Sequence, residues 1–367
     1  MERIQEYSRW CFWLARDHVR ALPGWHHLNN YSRAIILLAV LAGCTAKSNT
    51  NDTPPVEGMV WIPGGDFVMG TNEDDAYSHE RPAHKVHVDG FWMKATEVTN
   101  AEFRKFVNAT GYKTIAERKP TWEELKKGLP PGTPQPPDSI LIPGSLVFYH
   151  PKPPILTDDY SQWWMWVNGA DWQHPDGPSS NLDGKDNHPV THIAYEDALA
   201  YCKWEGTRLP TEAEWEFASR GGKESQRYGW GSEFSPGGKS MANTFQGSFP
   251  IYDLKEDGFD GTSPVKTFPA NEYGLYDMIG NVWEWTSDLY DINYFQTLPV
   301  KEVTSNPRGP ASSFDPNEPY ATKRVTKGGS YLCASNYCSN YRPSSRQGSS
   351  IDSGSSNIGF RTIYTHP

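Results

Sequence analysis

The 367-residue sequence predicts an irregular, turn-rich fold with an aromatic core, neither a helical bundle nor a regular α/β sandwich. Three observations predict it. The chain holds 32 Gly and 30 Pro, residues that set turns and interrupt long elements. Its 15 Trp, 19 Tyr and 15 Phe supply large rings with polar handles, so a core is available although hydrophobic residues make up only 37%. After Gly222 hydrophobic periodicity nearly vanishes, and a packed domain with so little regular structure needs other cross-links, such as bound ions or side-chain networks. The length admits one large domain or two ordinary ones, and neither a fixed-period repeat nor a heptad pattern is present. The formal charge of -10, without a cluster of Lys and Arg, argues against nucleic acid as a partner.

In chain order, the first feature is an address. Arg33 is followed by an apolar run from Ala34 to Gly43, too short to span about 30 Å of hydrocarbon and suited to a signal-peptide h-region. Leu41-Ala42-Gly43-Cys44 looks like a bacterial lipobox, so cleavage before Cys44 and acylation of its thiol are expected. A buried apolar strand is the alternative. Residues 1–43 are read as the leader, although 1–32 are long for an n-region and suggest an upstream mis-called start. Residues 44–57, polar and rich in turn formers, are read as a lipidated tether, and 58–367 as the folded domain. The expected location is the bacterial cell envelope, lipid-anchored to the membrane outside the cytoplasm, where disulfides are permitted.

Met59 to Gly70 suggests two short strands around a Pro-Gly-Gly turn. Thr99 and Glu102 form a capping box, followed by Phe103, Phe106 and Val107 at helical spacing and by Gly111. A second helix is expected from Tyr195 to Trp204 with Gly206 beyond it. A third starts at the capping box of Thr211 and Glu214 and ends near Gly221. Residues 128–155 are dense in proline, which reads as an inserted surface loop without a helix or a central strand.

Five cysteines are candidates for chemistry. Cys11 falls in the leader and Cys44 takes the lipid. Cys202 follows Ala198 and Leu199 on the second helix and reads as a buried, inert thiol. Cys333 and Cys338 lie too close together for a zinc site, which would need two further ligands. An ordinary disulfide over so short a loop would contribute only roughly 2 kcal/mol. A two-thiolate site for a soft monovalent ion such as Cu(I) is the other reading. Spacing leaves both open, with the disulfide ahead. His79-Glu80-Arg-Pro-Ala-His84 resembles a zinc-protease signature only superficially, because the second His is one position late and Pro82 intervenes; a structural loop is the better reading. No Gly-x-Ser-x-Gly elbow, phosphate-binding loop or dinucleotide fingerprint occurs, so ordinary hydrolase, kinase and dehydrogenase readings lose support.

Four longer motifs bear on the pair. They are Gly206-Thr-Arg-Leu-Pro-Thr-Glu-Ala-Glu-Trp-Glu216, Tyr273-Gly-Leu-Tyr-Asp-Met-Ile-Gly-Asn-Val-Trp-Glu-Trp285, Lys327-Gly-Gly-Ser-Tyr331 and Ser356-Asn-Ile-Gly-Phe-Arg361. On them the chain from Met59 to Tyr364 resembles the formylglycine-generating enzyme (sulfatase-modifying factor) family, copper-dependent type. The resemblance implies an α+β, C-type-lectin-like fold with low regular secondary-structure content. It implies oxidation, with O2 and a thiol reductant, of a sulfatase cysteine within Cys-x-Pro-x-Arg to formylglycine.

The same resemblance implies roles for single residues. Cys333 and Cys338 would be the catalytic Cu(I) ligands, with Ser330 beside them; Trp283, Tyr337 and Asn357 would face the substrate. Two structural Ca2+ sites are implied: Asn243 and Asp257 with the carbonyls of Thr244 and Phe259, and Asp277 and Glu284 with the carbonyls of Gly280 and Val282. Oxygen ligands of this mixture suit a hard cation, while solvated turn residues are the plainer reading. Further cysteines that staple animal relatives are replaced here by Thr362, Ser219 and Pro343. The sulfatase polypeptide is the expected partner. A rival from another class is a non-catalytic surface lipoprotein with the same fold, which explains the anchor but not the cysteine pair. An iron-dependent sulfoxide synthase would need an added helical domain that no region supplies.

Overall fold

A computed structural model describes residues 53–156, 159–224 and 226–365. The leader, Cys11, Cys44 and most of the tether lie outside the described residues. Residues 54–367 make one compact unit, and no described helix is long and apolar enough to cross a membrane.

The three helices form where their caps predict. Helix α1 (Asn100–Thr110) begins at Thr99, whose hydroxyl accepts from the Glu102 N–H while the Glu102 carboxylate accepts from the Thr99 N–H. Helix α2 (Tyr195–Glu205) begins at Ala194, whose N–H donates to Asp197. Helix α3 (Glu212–Arg220) begins at Thr211, whose N–H donates to Glu214, and Glu214 is also gripped by both terminal nitrogens of Arg208. All three end on a left-handed glycine.

Helix α3 is buried along its whole length, charges included. Each charge has a partner. Glu216 bonds Arg220 and Lys327, Glu212 takes a bidentate guanidinium from Arg346, and Trp215 donates its indole N–H to Glu284. Arg361 closes the network on Glu284 at 2.7 and 2.6 Å. Paired charges of this kind give little net stability but fix one arrangement of the core, because no other arrangement satisfies them all.

The strands at Met59–Ile62 and Gly65–Met69 are present, but they do not form one hairpin. The first pairs with Phe91–Lys94, which also pairs with Ile363–Tyr364; the second pairs with His84–Val88. The proline-dense stretch departs from expectation. Gly144–Phe148, a proline-free run between Pro143 and Pro151, pairs antiparallel with Trp164–Asn168. The prolines bound this strand rather than prevent it.

The sheet that places the site has the order Gln347–Ser350, Lys323–Lys327, Trp283–Leu289, Ile358–Gly359. Lys327 lies opposite Glu284, and Ile358 runs parallel beside Trp283. The chain therefore leaves one strand into Gly328-Gly329-Ser330 and enters another directly after Asn357. These two loops meet at the end of the sheet. Beside them a small second core of Trp163, Phe245, Phe249, Leu332 and Ala334 seats the loop that carries both cysteines.

Candidate active site

Cys333 and Cys338 face each other across one tight turn. The Cys333 N–H donates to Ser330 O at 2.9 Å, and the Cys338 N–H donates to Ala334 O at 2.9 Å. The two sulfurs lie 2.7 Å apart and both thiols are free. An S–S bond would be about 2.05 Å. Cys333 is 1% exposed, whereas Cys338 is partly exposed. Behind them the backbone packs closely: a Cβ on Gly329 would stand 3.2 Å from Cys333 Sγ and 3.1 Å from Asn340 O.

The two thiols are electrostatically unequal. The hydrogen bond from Cys333 holds the Cys338 thiol below the ordinary range, assisted by hydrogen bonds from Asn340 and by the Arg342 charge. Burial, and then the charge of Cys338, push the Cys333 thiol up. The two shifts run in opposite directions, and the sulfur whose thiol is lowered is the more accessible one.

Arg342 is held where it can act on Cys338. Its terminal nitrogens grip Glu80 at 2.8 and 2.7 Å, Ser344 donates to the same carboxylate, and Arg342 Nε donates to Ser339 O. Glu80 belongs to the segment that resembled a zinc-protease motif, and its role is this clamp. The clamp also brings in Tyr77, whose N–H donates to Glu80 Oε1. Burial and the charges of Cys338 and Cys333 raise the Tyr77 phenol, and burial chiefly raises Tyr341 to about 12, again with a contribution from the thiols. Tyr77, Asn340, Tyr341 and Arg342 are site residues that sequence reasoning missed. Only their chain proximity to Cys338 or to Glu80 offered a signal.

The predicted neighbours divide into two groups. Asn357 Nδ2 donates to Ser330 Oγ at 3.0 Å and Asn357 Oδ1 accepts from Ser355 at 2.7 Å, so Ser330 and Asn357 form one locked polar wall. Tyr337 is exposed and stacks on Phe249 at 4.5 Å, with Trp163 edge-on at 5.7 Å. It forms an aromatic flank beside Cys338. Trp283 is 3% exposed and packs in the core, touching the site through its N–H, which donates to Asn357 O. Cys202 is buried and its thiol is pushed up to about 12, as expected of an inert core cysteine.

For copper, the donor chemistry fits: two free sulfurs, one of them with a lowered thiol, suit a soft monovalent ion. Cys333 and Cys338 would be the residues to hold such an ion.

Of the residues expected to hold calcium, two of the first set lie around the Gln246 amide. Thr244 O and Asp257 Oδ2 converge on one amide hydrogen donor, Gln246 Nε2, and Asp257 Oδ1 accepts from the Phe259 N–H. Asn243 lies beside Gly261 and Asn281. In the second set, Asp277 accepts from the Lys266 N–H, and Gly280 approaches Asn243 so closely that a Cβ would stand 2.2 Å from its carbonyl oxygen. Val282 is buried beside them, and the Glu284 carboxylate is fully engaged by Arg361 and Trp215. Glu97, which the sequence did not single out, is fully buried with Oε2 making no hydrogen bond and facing an Arg361 terminal nitrogen at 3.9 Å, and burial and the Asp277 charge raise its carboxyl. Among the described residues no group of three or more His, Cys, Asp or Glu is arranged to hold a metal ion.

The sequence matches the sulfatase-modifying factor enzyme 1-like domain over residues 45–366. It is 45% identical over 305 residues to the formylglycine-generating enzyme of Mycobacterium tuberculosis, covering 83% of this chain and 97% of that one. It is 36% identical over 339 residues to the inactive C-alpha-formylglycine-generating enzyme 2 of Bos taurus, covering 90% and 94%. The solved structure of PvdO from Pseudomonas aeruginosa superposes with a TM-score of 0.52 at 23% identity, over 87% of this chain and 99% of that one, a likeness of fold alone. The α+β, lectin-like architecture with few helices agrees with that neighbour.

Proposed function

The chain belongs to the sulfatase-modifying factor family, and from that premise we propose that it is a formylglycine-generating oxidase, acting on a sulfatase cysteine within Cys-x-Pro-x-Arg. One observation carries the proposal: Cys333 and Cys338 are free, 2.7 Å apart and unequal, one buried and the other partly exposed. A merely stapling pair has no need of that asymmetry. A non-catalytic member of the family would have no use for a locked polar wall and a charged clamp around two unbonded thiols.

Copper bound by Cys333 and Cys338 would supply the one-electron chemistry with O2 that sulfur and carbon do not perform alone. The chain's own residues do the rest. The hydrogen bond with Cys333 lowers the Cys338 thiol and so favours its deprotonation. Arg342, itself neutralised by Glu80, stabilises that charge without offering a free cation to the solvent. Ser330 and Asn357, fixed by each other and by Ser355, present polar edges at constant geometry. Tyr337 and Phe249 provide an apolar flank that excludes water and stray thiols from the reacting sulfur. We further propose two structural Ca2+ ions, at Asn243, Thr244, Asp257 and Phe259 and at Asp277, Gly280, Val282 and Glu284. Lipid attachment at Cys44 would place the domain at the cell envelope.

The test is to load the purified domain with Cu(I), incubate it with a Cys-x-Pro-x-Arg peptide in air with a thiol reductant, and follow the peptide by mass spectrometry. Conversion to the aldehyde is expected. Absence of aldehyde despite measured copper binding would overturn the oxidase reading.

A further inference from the structure

We infer that the outer edge of the strand Trp164–Asn168 takes an extended segment of the substrate polypeptide as an added strand, holding the main chain that flanks Cys-x-Pro-x-Arg beside the thiol pair. This rests on the peptide substrate proposed above.

The strand belongs to a two-stranded sheet, and its one neighbour there is Gly144–Phe148. That neighbour is covered on its far side, where Ser355 bridges Leu146 and the Ser356 N–H donates to Leu146 O. Trp164–Asn168 is therefore the open edge. Which of its groups point outward follows from the bonds at the two ends of the ribbon. The Tyr149 N–H donates to Trp163 O and the Gly169 N–H donates to Pro143 O, so residues 163 and 169 face the neighbouring strand. Positions alternate along an antiparallel ladder, which turns the main chain of Trp164, Trp166 and Asn168 away from that neighbour. Among the described residues no further main-chain partner meets these three.

Proteins ordinarily blunt such an edge with a charge, a proline or a bulge. This one reads Trp-Met-Trp-Val-Asn, without charge or proline, and its register is unbroken over all 5 residues. Met165 is 52% exposed and Trp166 46%. A Cβ on Gly144 would stand 3.0 Å from Trp166 Nε1, so the indole lies back over the ribbon and leaves the outward main chain clear. An edge in this state pairs with an extended chain held beside it.

The site decides which chain that is. Trp163, the residue before the strand, meets the Tyr337 ring edge-on at 5.7 Å, and Tyr337 directly precedes Cys338. Phe148, opposite Trp164 in the register, stacks on Phe249, which stacks on Tyr337. One aromatic wall thus runs from the thiol pair to the start of the open edge. Cys333 is buried and Cys338 only partly exposed, so a substrate cysteine reaches them on an extended chain, the conformation a sheet edge accepts. Pairing through main chain also suits clients whose flanking side chains differ, because N–H and C=O groups carry no sequence information.

The test compares peptides in which Ser replaces the reactive Cys, so that no turnover intervenes. One holds the motif alone, and two are extended on the N-terminal or the C-terminal side by about eight residues, enough to cover the strand at about 3.3 Å per residue. Affinities for the purified protein are measured by fluorescence anisotropy. The wild type is expected to bind one extended peptide about tenfold more tightly than the motif, and Trp166→Pro, which removes one outward N–H without touching the inner ladder, to bind both alike. Trp166→Thr keeps that N–H and is expected to keep a gain of about threefold or more. An equal gain in the wild type and the Pro variant would overturn the proposal.

A second measurement needs no variant and stands even where the proline disrupts the ribbon. Single N-methyl groups walked along the favoured flank are expected to weaken wild-type binding about three- to tenfold at every second residue and less than about twofold between them. A loss without that alternation, or no gain from either flank, would overturn strand addition. A wild type that sediments as a dimer while Trp166→Pro is a monomer would also overturn it, because a second copy then occupies the edge. Aldehyde formed from the motif peptide without any gain from a flank leaves the oxidase reading intact and sinks this inference. An alternating flank gain with no aldehyde from the corresponding Cys peptide and copper-loaded protein sinks the oxidase reading and keeps the edge as a polypeptide-binding surface.

Discussion

Two polar regions follow one another along the chain, the ion-pair network that closes on Lys327 and the thiol pocket that opens at Ser330, and they are built on opposite terms. In the network nearly every buried charge is spent on a partner: Lys327 on Glu216, Arg346 on Glu212, Arg361 on Glu284. In the pocket the polar groups are arranged around sulfurs that keep capacity in reserve, with Cys338 partly exposed and Asn340 Oδ1 unpartnered. Full satisfaction fixes a structure, while incomplete satisfaction, held rigidly by a satisfied neighbour, leaves a site able to bind. The three-residue step from Lys327 to Ser330 is where one regime becomes the other.

The difference can be broken from the pocket side first, where the largest effect is expected. Cys338→Ser should abolish both Cu(I) binding, measured by competition with a chromophoric chelator, and peptide turnover, while the thermal midpoint stays within a few degrees because the substitution replaces one small atom of a partly exposed side chain. A large fall in the midpoint would show that the pair is structural after all.

From the network side, Arg361→Ala should cost about 3–5 kcal/mol in urea unfolding, since it leaves the buried Glu284 carboxylate uncompensated and also frees the carbonyls of Lys94 and Tyr276. A cost under about 1 kcal/mol would mean that the network is ornamental and the contrast unsound.

The smallest effect concerns Asp288, which anchors the first turn of α3 by accepting from the Glu212 N–H and whose carboxyl is raised to about 7 by burial and by the Glu212 charge. Its unfolded value is about 3.9. The folded state therefore holds this proton more tightly, so the associated stability is present below the unfolded value and is lost as pH rises through about 7. Asp288→Asn keeps the acceptor and removes the charge. At pH 8 the variant should be more stable than the wild type by on the order of 1–2 kcal/mol, and its unfolding free energy should fall less between pH 5 and pH 8. Asp197, also raised to about 7 by burial, leaves a residual slope in both proteins.

The parts of the molecule legible in the sequence are those decided within a few residues. The capping boxes at Thr99 and Thr211 and the glycines at 111, 206 and 221 placed three helices to within a residue or so, because a cap is a contact between positions i and i+3. Cys333 and Cys338 were legible as a pair for the same reason. The strands Trp283–Leu289 and Lys323–Lys327 were not, since both are buried on each side and lose the alternation that marks a half-buried strand. Glu80, dismissed as part of a loop, meets Arg342 across 262 residues. Trp283 was read as a pocket wall, but it contributes its main chain and keeps its ring in the core.

By itself, the sequence determined the family, the helix ends and the identity of the two thiols, all properties of local residue chemistry and short spacing. Only the tertiary structure decided that the two thiols differ, since Cys333 is buried while Cys338 is partly exposed and takes hydrogen bonds from Cys333 and Asn340. Two chemically identical side chains five residues apart cannot be told apart by composition. The field that separates them comes from a clamp on Glu80 and from a turn that exposes one sulfur and buries the other.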